Sequence, residues 1–106
     1  MLITTTNEIP GHEITEVYGE VFGLTVRSRN AFSQVGAGLK SFMGGELKGM
    51  TKALADSRND VIQRMTEEAE AKGANAVVAM RFDTSEMGGT WTEICAYGTA
   101  VRIAKA

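Results

Sequence analysis

Apolar residues between Thr51 and Lys72 recur at three- and four-residue intervals, which is the spacing of one face of an α-helix. Thr51 is a suitable N-cap, and Gly73 directly follows Lys72, as is typical of a helix start and a helix end. We therefore predict one amphipathic helix over 51–72, with outer ion pairs at four-residue spacing, Asp60 with Arg64 and Glu68 with Lys72. Its apolar stripe comprises Leu54, Val61, Met65 and Ala69, with Ile62 beside it and Ser57 at the one polar position.

Residues 76–82 and 91–103 are rich in strand-forming side chains, so we predict two paired strands joined by a flexible turn at 85–89. Even positions of the last strand are mostly small, which lets a helix approach closely. Its odd positions carry the bulky residues Trp91, Tyr97, Val101 and Ile103. One long helix cannot cover both faces of the sheet, so the second face needs either a short helix or a neighbouring subunit. We favour the neighbour, because the chain has too few elements to close its own sheet edges.

The first half of the chain predicts a β-hairpin and then a short helix. Residues 2–6 and 14–26 have strand composition and are separated by the turn-forming pair Pro10-Gly11. Apolar residues over 32–43 recur at helical spacing. The complete prediction is a single α+β domain over residues 1–106. It has a two-layer antiparallel sheet, one long and one short helix, and the element order β-β-α-α-β-β.

The net charge of −2 gives no general reason to bind nucleic acid or an anionic membrane. Charge is nevertheless unevenly distributed. Residues 1–26 contain four acidic and no basic residues, whereas residues 27–52 contain five basic residues and one acidic residue. The two segments could attract each other within a subunit or across an interface, although two separately solvated surfaces are the simpler interpretation.

A reducing, cytoplasmic location is expected from three features. Cys95 is the only cysteine, so no intramolecular disulfide can form. Residues 1–6 lack the basic start and apolar run of a secretory signal. No apolar stretch approaches the roughly 18 residues that a membrane span needs.

An ordered set of junction residues carries a resemblance to a known family. It runs through Pro10-Gly11, Gly19, Asn30-Ala31-Phe32, Gly44-Gly45, Arg58, Gly73-Ala74-Asn75-Ala76-Val77-Val78 and Gly98-Thr99-Ala100-Val101. On these residues the chain resembles the YbjQ family of small bacterial and archaeal proteins, whose members often carry a heavy-metal-binding label. The resemblance implies a two-layer α+β subunit of the dodecin type, assembled as a ring-shaped homopentamer. It implies no particular reaction.

The glycine- and lysine-rich region 36–51 does not fit a nucleotide-binding P-loop. That motif requires G-x-x-x-x-G-K-[ST], so that backbone amides and the lysine surround the phosphates. Gly38-Leu39-Lys40-Ser41 has an intruding Leu and no upstream Gly at the required spacing. Gly44 to Thr51 has Met50 where the lysine should be. Helix packing and hinge positions explain these glycines better.

Catalytic chemistry has little support in the sequence. His12 is the only histidine, it lies next to a turn, and no Ser or Cys is linked to it by a recognisable motif. Asp56 and Asp60 lie on one side of the predicted helix, where two acidic residues usually serve solvation. We expect His12 to be a surface or turn residue.

Metal binding has two candidate residues, Glu93 and Cys95, which share one face of the last strand. A soft-metal site needs thiolate and imidazole ligands at close spacing, typically four for zinc, and this chain offers only Cys95 and the distant His12. Ring symmetry could bring copies of Glu93 and Cys95 together around an axis. The alternative is a buried structural Cys95 beside a charge-paired Glu93.

Arg81, Glu93 and Tyr97 are the candidates for a polar pocket at a subunit junction that binds a small anion or cofactor. Arg81 and Glu93 lie on neighbouring strands among apolar residues, so a structural cross-strand ion pair is the competing hypothesis. Three functions remain open. The first is a homo-oligomeric ring that binds a small ligand or metal ion at its junctions. The second is an interaction scaffold that presents the charged helix segment 67–70, and the third is an enzyme with an interface-assembled site.

Overall fold

The computed structural model describes residues 1–28, 48–87 and 91–106. In chain order, these residues form the strands and helix β1 (Leu2–Ile3), β2 (His12–Ser28), α1 (Lys48–Ala71), β3 (Ala76–Met87) and β4 (Trp91–Lys105). The strands form one four-stranded sheet in the order β1-β3-β4-β2, and α1 packs on one of its faces. The predicted α+β class is confirmed. The short helix predicted over 32–43 lies outside the described residues.

The predicted hairpin in the first quarter of the chain is wrong. β1 pairs in parallel with β3, through Leu2 opposite Ala76 and Ile3 opposite Val77, whereas β2 pairs antiparallel with β4. The sheet is therefore mixed rather than antiparallel. β2 and β4 pair from one end to the other, which forms many more ladder hydrogen bonds than a two-residue β1 could offer to β2. The turn residue Gly11, with φ of 77°, directs the chain onto β4 instead.

α1 begins at Lys48, three residues before the predicted start, and its core stripe is largely as predicted. Val61, Met65 and Ala69 are fully buried and Ser57 is nearly so, but Leu54 is 42% exposed. The helix ends in a Schellman motif. The Gly73 N–H donates to Glu70 O at 3.0 Å, and the Ala74 N–H donates to Ala69 O at 3.1 Å.

Gly23 of β2 is the point where α1 approaches the sheet most tightly. A Cβ atom at this position would lie 1.9 Å from Val61 O and 2.6 Å from Met65 N, both of which are helix backbone atoms. The β4 residues beneath the helix include Ala96, Gly98 and Ala100, which are buried and small. The sequence prediction that a helix covers the small-residue face is confirmed.

A bulge at Ala79 explains why β3 carries apolar residues at both parities. Pairing with β4 shifts between Val78 and Arg81, and Ala79 has a left-handed φ of 55°. Before the bulge the even-numbered side chains of β3 face away from α1, and after it the odd-numbered ones do. The bulge also supplies two hydrogen-bond donors to the loop after β1. The Ala79 N–H donates to Thr6 O at 2.8 Å, and the Met80 N–H donates to Thr4 O at 3.0 Å.

Side chains of α1 cover the outer edge of β2. The Phe22 N–H donates to Glu68 Oε2 at 3.1 Å, while Arg64 and Lys72 donate to the carbonyl oxygens of Leu24 and Glu20 at 2.6 and 3.3 Å. The four-residue spacing places these three helix residues along one line above the strand. An edge strand with its backbone groups occupied in this way cannot pair with another strand over this stretch.

The two predicted helix ion pairs have different outcomes. Glu68 and Lys72 lie 3.9 Å apart, so this pair is confirmed. Asp60 instead pairs with Arg27 of β2 at 2.9 Å, because Arg64 is occupied with the edge of β2. The prediction of an Asp60–Arg64 pair is therefore wrong.

We predict that Gly23→Ala lowers the free energy of unfolding by about 3 kcal/mol or more, because the new methyl group would overlap helix backbone that cannot move aside without separating α1 from β2. Urea denaturation measures the change. Gly11→Ala is the matched control, since nothing lies within 4 Å of its Cβ position and only the positive φ opposes the change. That control should lose about 1–2 kcal/mol. Equal losses in the two variants would contradict the close helix–strand contact.

Candidate interface site

The sheet face opposite α1 exposes a group of large apolar side chains at the end where β2 meets the start of β4. We call this the open face, and its members are Phe22, Leu24, Val26, Trp91, Cys95 and Tyr97. Leu24 and Tyr97 are 37 and 39% exposed, and Trp91 reaches 50%. No helix or strand in the described part of the chain packs on it. A contiguous apolar surface of this kind is typical of an interaction site.

The other end of the same sheet face is covered by the chain itself. Ala76, Val78 and Val101 form a small buried cluster there, and Ile9 and Ile103 pack against it. Ile9 belongs to the loop between β1 and β2. The N-terminal loop therefore covers the part of this sheet face around Val101, whereas no described helix or strand covers the part around Trp91 and Tyr97.

Carboxyl groups flank Cys95 on the open face. Asp83 lies opposite Cys95 on β3, and Glu93 lies two positions before it on the same side of β4. Burial raises the pKa of the Cys95 thiol, and the negative charges of Glu93 and Asp83 raise it further. A thiol in this environment holds its proton at neutral pH, and it is a poor ligand and nucleophile until that proton leaves.

The structure places the predicted pocket residues on one side of the sheet but does not pair Arg81 with Glu93. Arg81 lies opposite Tyr97, and Glu93 lies opposite Ser85, so the predicted cross-strand ion pair is wrong. The predicted turn at 85–89 would have centred the hairpin at 87, whereas the strands continue to Met87 and resume at Trp91. Because the turn lies two residues later than predicted, every residue of β3 is paired with a different residue of β4 than the prediction implies. Arg81 Nη1 instead donates to Thr5 O and Met80 O, at 2.9 and 2.8 Å.

Glu93 and Cys95 lie on one face of β4, as the sequence predicts. Within residues 1–28, 48–87 and 91–106, no three His, Cys, Asp or Glu residues come close enough together to hold a metal ion. His12 begins β2, twelve positions before Leu24, the partner of Cys95. At about 3.3 Å per residue, His12 and Cys95 are roughly 40 Å apart, too far to bind the same ion within one subunit.

The helix acids are occupied by basic partners. Asp56 accepts a hydrogen bond from Lys52 Nζ at 2.8 Å, and Asp60 pairs with Arg27. They are therefore not a pair of carboxylates poised for acid–base chemistry, and the interpretation as a solvated helix surface agrees with the structure. His12 Nδ1 lies 3.1 Å from Pro10 O in the turn before β2, which agrees with a turn residue.

Two hollows were not predicted from the sequence. One has a volume of about 700 Å³ and lies beside the loop that leads into β2. The other, of about 290 Å³, lies on the helix side of the sheet between the first half of α1 and the hairpin of β3 and β4. It includes Arg58, which the sequence had marked only as part of the family resemblance. No local pattern points to this second hollow, because its walls come from three elements.

The described part of the chain contains no helix that is long and apolar enough to span a membrane.

Comparison with solved structures finds the same fold in a protein of unknown function from Pediococcus pentosaceus, assigned to the DUF74 family. The TM-score is 0.55 at 16% sequence identity, and the match covers 98% of each chain. At this identity the likeness concerns the fold alone.

Sequence relatives are much nearer. The chain is 70% identical over 105 residues to a UPF0145 protein of Acidothermus cellulolyticus, covering 99% of this chain and 97% of the relative. It is 59% identical to UPF0145 proteins of Streptomyces coelicolor and Lactococcus lactis, over 99% of this chain and 96–99% of theirs. The YbjQ family model, described as "Putative heavy-metal-binding", matches residues 1–104. The chain therefore belongs to the YbjQ family.

Proposed function

We propose that this protein is a self-assembling subunit, in the form of a ring-shaped homopentamer, that binds a small ligand or a metal ion at its subunit junctions. The observation that carries the proposal is the open face. Phe22, Val26 and Trp91 each expose about half of their surface to water there. Complete burial of one large apolar side chain contributes about 1.5–3 kcal/mol, so covering the open face with another copy would stabilise an assembly substantially.

The shape of the subunit supports self-association. Its radius of gyration is 16.9 Å, against about 13 Å for a compact domain of this length. Its smallest dimension is 17 Å, which accommodates one sheet and one helix layer. β2 has 17 residues and β4 has 15, far above the usual five or six. In the described residues a helix covers only one face of this long, thin sheet, so a second copy on the other face would supply a further layer.

Polar groups on the open face give the junction a means of binding a ligand. Glu93 and Cys95 lie beside the apolar members, and Tyr97 offers a hydroxyl group opposite Arg81. One subunit supplies two metal donors, so the four ligands of a structural zinc site require donors from at least two copies, which ring symmetry could bring together around its axis. The family description supports a metal ion as one ligand class.

The exposed acidic surface of α1 favours a second candidate, an interaction scaffold. Glu67 and Glu70 are exposed on the side of α1 that faces away from the sheet, and neither forms an ion pair with a described residue. A ring would display this surface several times around its outside. Retention of one specific small molecule by the purified protein would favour the ligand-binding function over the scaffold.

We predict that native mass spectrometry of the wild-type protein at micromolar concentration shows five subunits, and that Val26→Glu shifts the population to monomer. The substitution places a carboxylate on the open face directly opposite Glu93, so it adds both desolvation and charge repulsion. Val17→Glu is the matched control, because Val17 is 66% exposed on the same strand but lies outside the open face. A monomeric wild-type protein would rule out the proposal. If Val17→Glu dissociated the assembly and Val26→Glu did not, the interface would lie at the other end of β2.

We predict that Zn²⁺, Cu²⁺, Ni²⁺ or Co²⁺ gives calorimetric heat with the assembled protein and raises its thermal unfolding temperature. Binding at a concentration a hundred times the dissociation constant stabilises a protein by about 2.7 kcal/mol. Cys95→Ser should remove the effect, while His12→Ala should keep it, since His12 lies far from the open face. No heat and no thermal shift with any of the four metals would refute the metal-binding part of the proposal.

We predict that alkylation of Cys95 by iodoacetamide is slow in the wild-type assembly at every pH, because another copy covers the thiol. In the dissociated Val26→Glu variant, the midpoint of the rate against pH should lie above the 9.0 of an ordinary thiol, since burial and the neighbouring carboxylates, including the one that this substitution adds, raise the pKa of Cys95. Adding Glu93→Gln should lower that midpoint by removing a negative charge. A midpoint at or below 9.0 in the dissociated variant would contradict the electrostatic description of this face.

A further inference from the structure

The hollow on the helix side of the sheet contains an arginine that forms no ion pair or hydrogen bond with a described residue. The described residues that line it are Thr51, Leu54, Ala55, Arg58, Thr84 and Ile94. Arg58 is the only charged residue among them. The volume of about 290 Å³ is at the lower limit for small-molecule sites. The hollow is a groove open to solvent, with Ile94 as its buried floor, and it lies on the opposite side of the sheet from the open face.

Arg58 differs from every other arginine in the described chain. Arg27 pairs with Asp60. The other three donate to backbone carbonyl oxygens, Arg64 to that of Leu24, Arg81 to that of Thr5 and Arg102 to that of Gly73. Arg58 donates to no described carboxylate or carbonyl. Its guanidinium carbon instead lies 4.8 Å from the centre of the Phe82 ring. Stacking occupies one face of the planar group and leaves the N–H donors at its edge free.

The rest of the hollow fits a ligand that is anionic at one end and apolar elsewhere. Leu54, Ala55 and Ile94 supply hydrocarbon surface, and the Thr51 and Thr84 hydroxyl groups are further donors. Of the described acidic residues on these elements, Asp56 is paired with Lys52, and Glu86, on the same face of β3 as Thr84, forms no ion pair with Arg58. Thr51 lies in the first turn of α1, where the helix dipole also favours negative charge.

We infer that this hollow binds a small organic carboxylate, with the carboxylate on the free edge of the Arg58 guanidinium and the apolar body against Leu54 and Ile94. A planar guanidinium and a carboxylate can form two parallel hydrogen bonds. Because the stacked Arg58 side chain is already oriented, it loses little conformational freedom when it forms them. The site is independent of the proposed junction site, because all of its walls belong to one copy.

The test uses benzoate as the probe and benzamide as its uncharged equivalent of the same shape. In a ¹⁵N-correlated NMR titration, benzoate should bind with a dissociation constant on the order of 1 mM, as expected for a ligand with so few atoms. Shifts should be confined to residues 51–58 and the neighbourhoods of Thr84 and Ile94. Benzamide should bind at least about tenfold more weakly, because it cannot form charge-assisted hydrogen bonds. Equal binding of the two probes, or shifts spread elsewhere, would overturn the assignment.

Variants separate the role of Arg58 from general charge. Arg58→Gln should weaken benzoate binding by about tenfold or more, whereas Lys105→Gln, which removes the same charge at the far end of β4, should leave it within about twofold. Ala55→Leu keeps the charge and fills the hollow, so it should also abolish binding, and it serves as the second variant if Arg58→Gln is poorly folded. Binding should persist in the dissociated Val26→Glu subunit. Unchanged affinity in Arg58→Gln, or loss of binding in Val26→Glu, would overturn the proposal.

Discussion

The rest of this structure depends on the contact between α1 and β2 at Gly23. With no side chain at this position, the helix backbone at Val61 and Met65 lies directly on the strand. Because the helix lies so close, the side chains of Arg64, Glu68 and Lys72 can hydrogen-bond to backbone groups along the outer edge of β2. One glycine therefore controls both the packing of the core and the protection of a sheet edge. A bulkier residue would move the helix outward and break both.

The same contact determines which surface remains for assembly. α1 is the only described element that packs on the sheet as a layer, and it is committed to the face that carries Gly23, Ala96 and Gly98. Because the edge of β2 beside the helix is occupied, lateral addition of a strand is blocked over that stretch. The largest group of exposed apolar side chains in the described residues is on the opposite face. The position of the helix therefore makes the proposed self-association one through a face of the sheet rather than through this edge.

Features that depend on residues close together in the sequence were predictable, whereas features that depend on contacts between distant parts of the chain were not. The long helix and the final hairpin were predicted correctly because their signals are local, namely the periodicity of Val61, Met65 and Ala69 and the turn after Lys72. The first-quarter hairpin was wrong because the partner of β2 lies some eighty residues further along the chain. The Arg81–Glu93 pair failed because a turn displaced by two residues changes the whole register. Arg58 was missed as a binding residue because its stacking on Phe82 exists only in the tertiary structure.

The charges around Cys95 would connect the proposed metal binding to protonation of the thiol. In the isolated subunit, Glu93 and Asp83 favour the protonated thiol because an anionic sulfur would be repelled by both. A divalent cation on this face would reverse that effect, since the same carboxylates would attract the metal and the metal would stabilise the thiolate. Metal binding would then release the Cys95 proton, and its affinity would rise with pH. If the second pair of donors comes from another copy, the same equilibrium also couples metal binding to assembly, because neither copy alone has enough ligands.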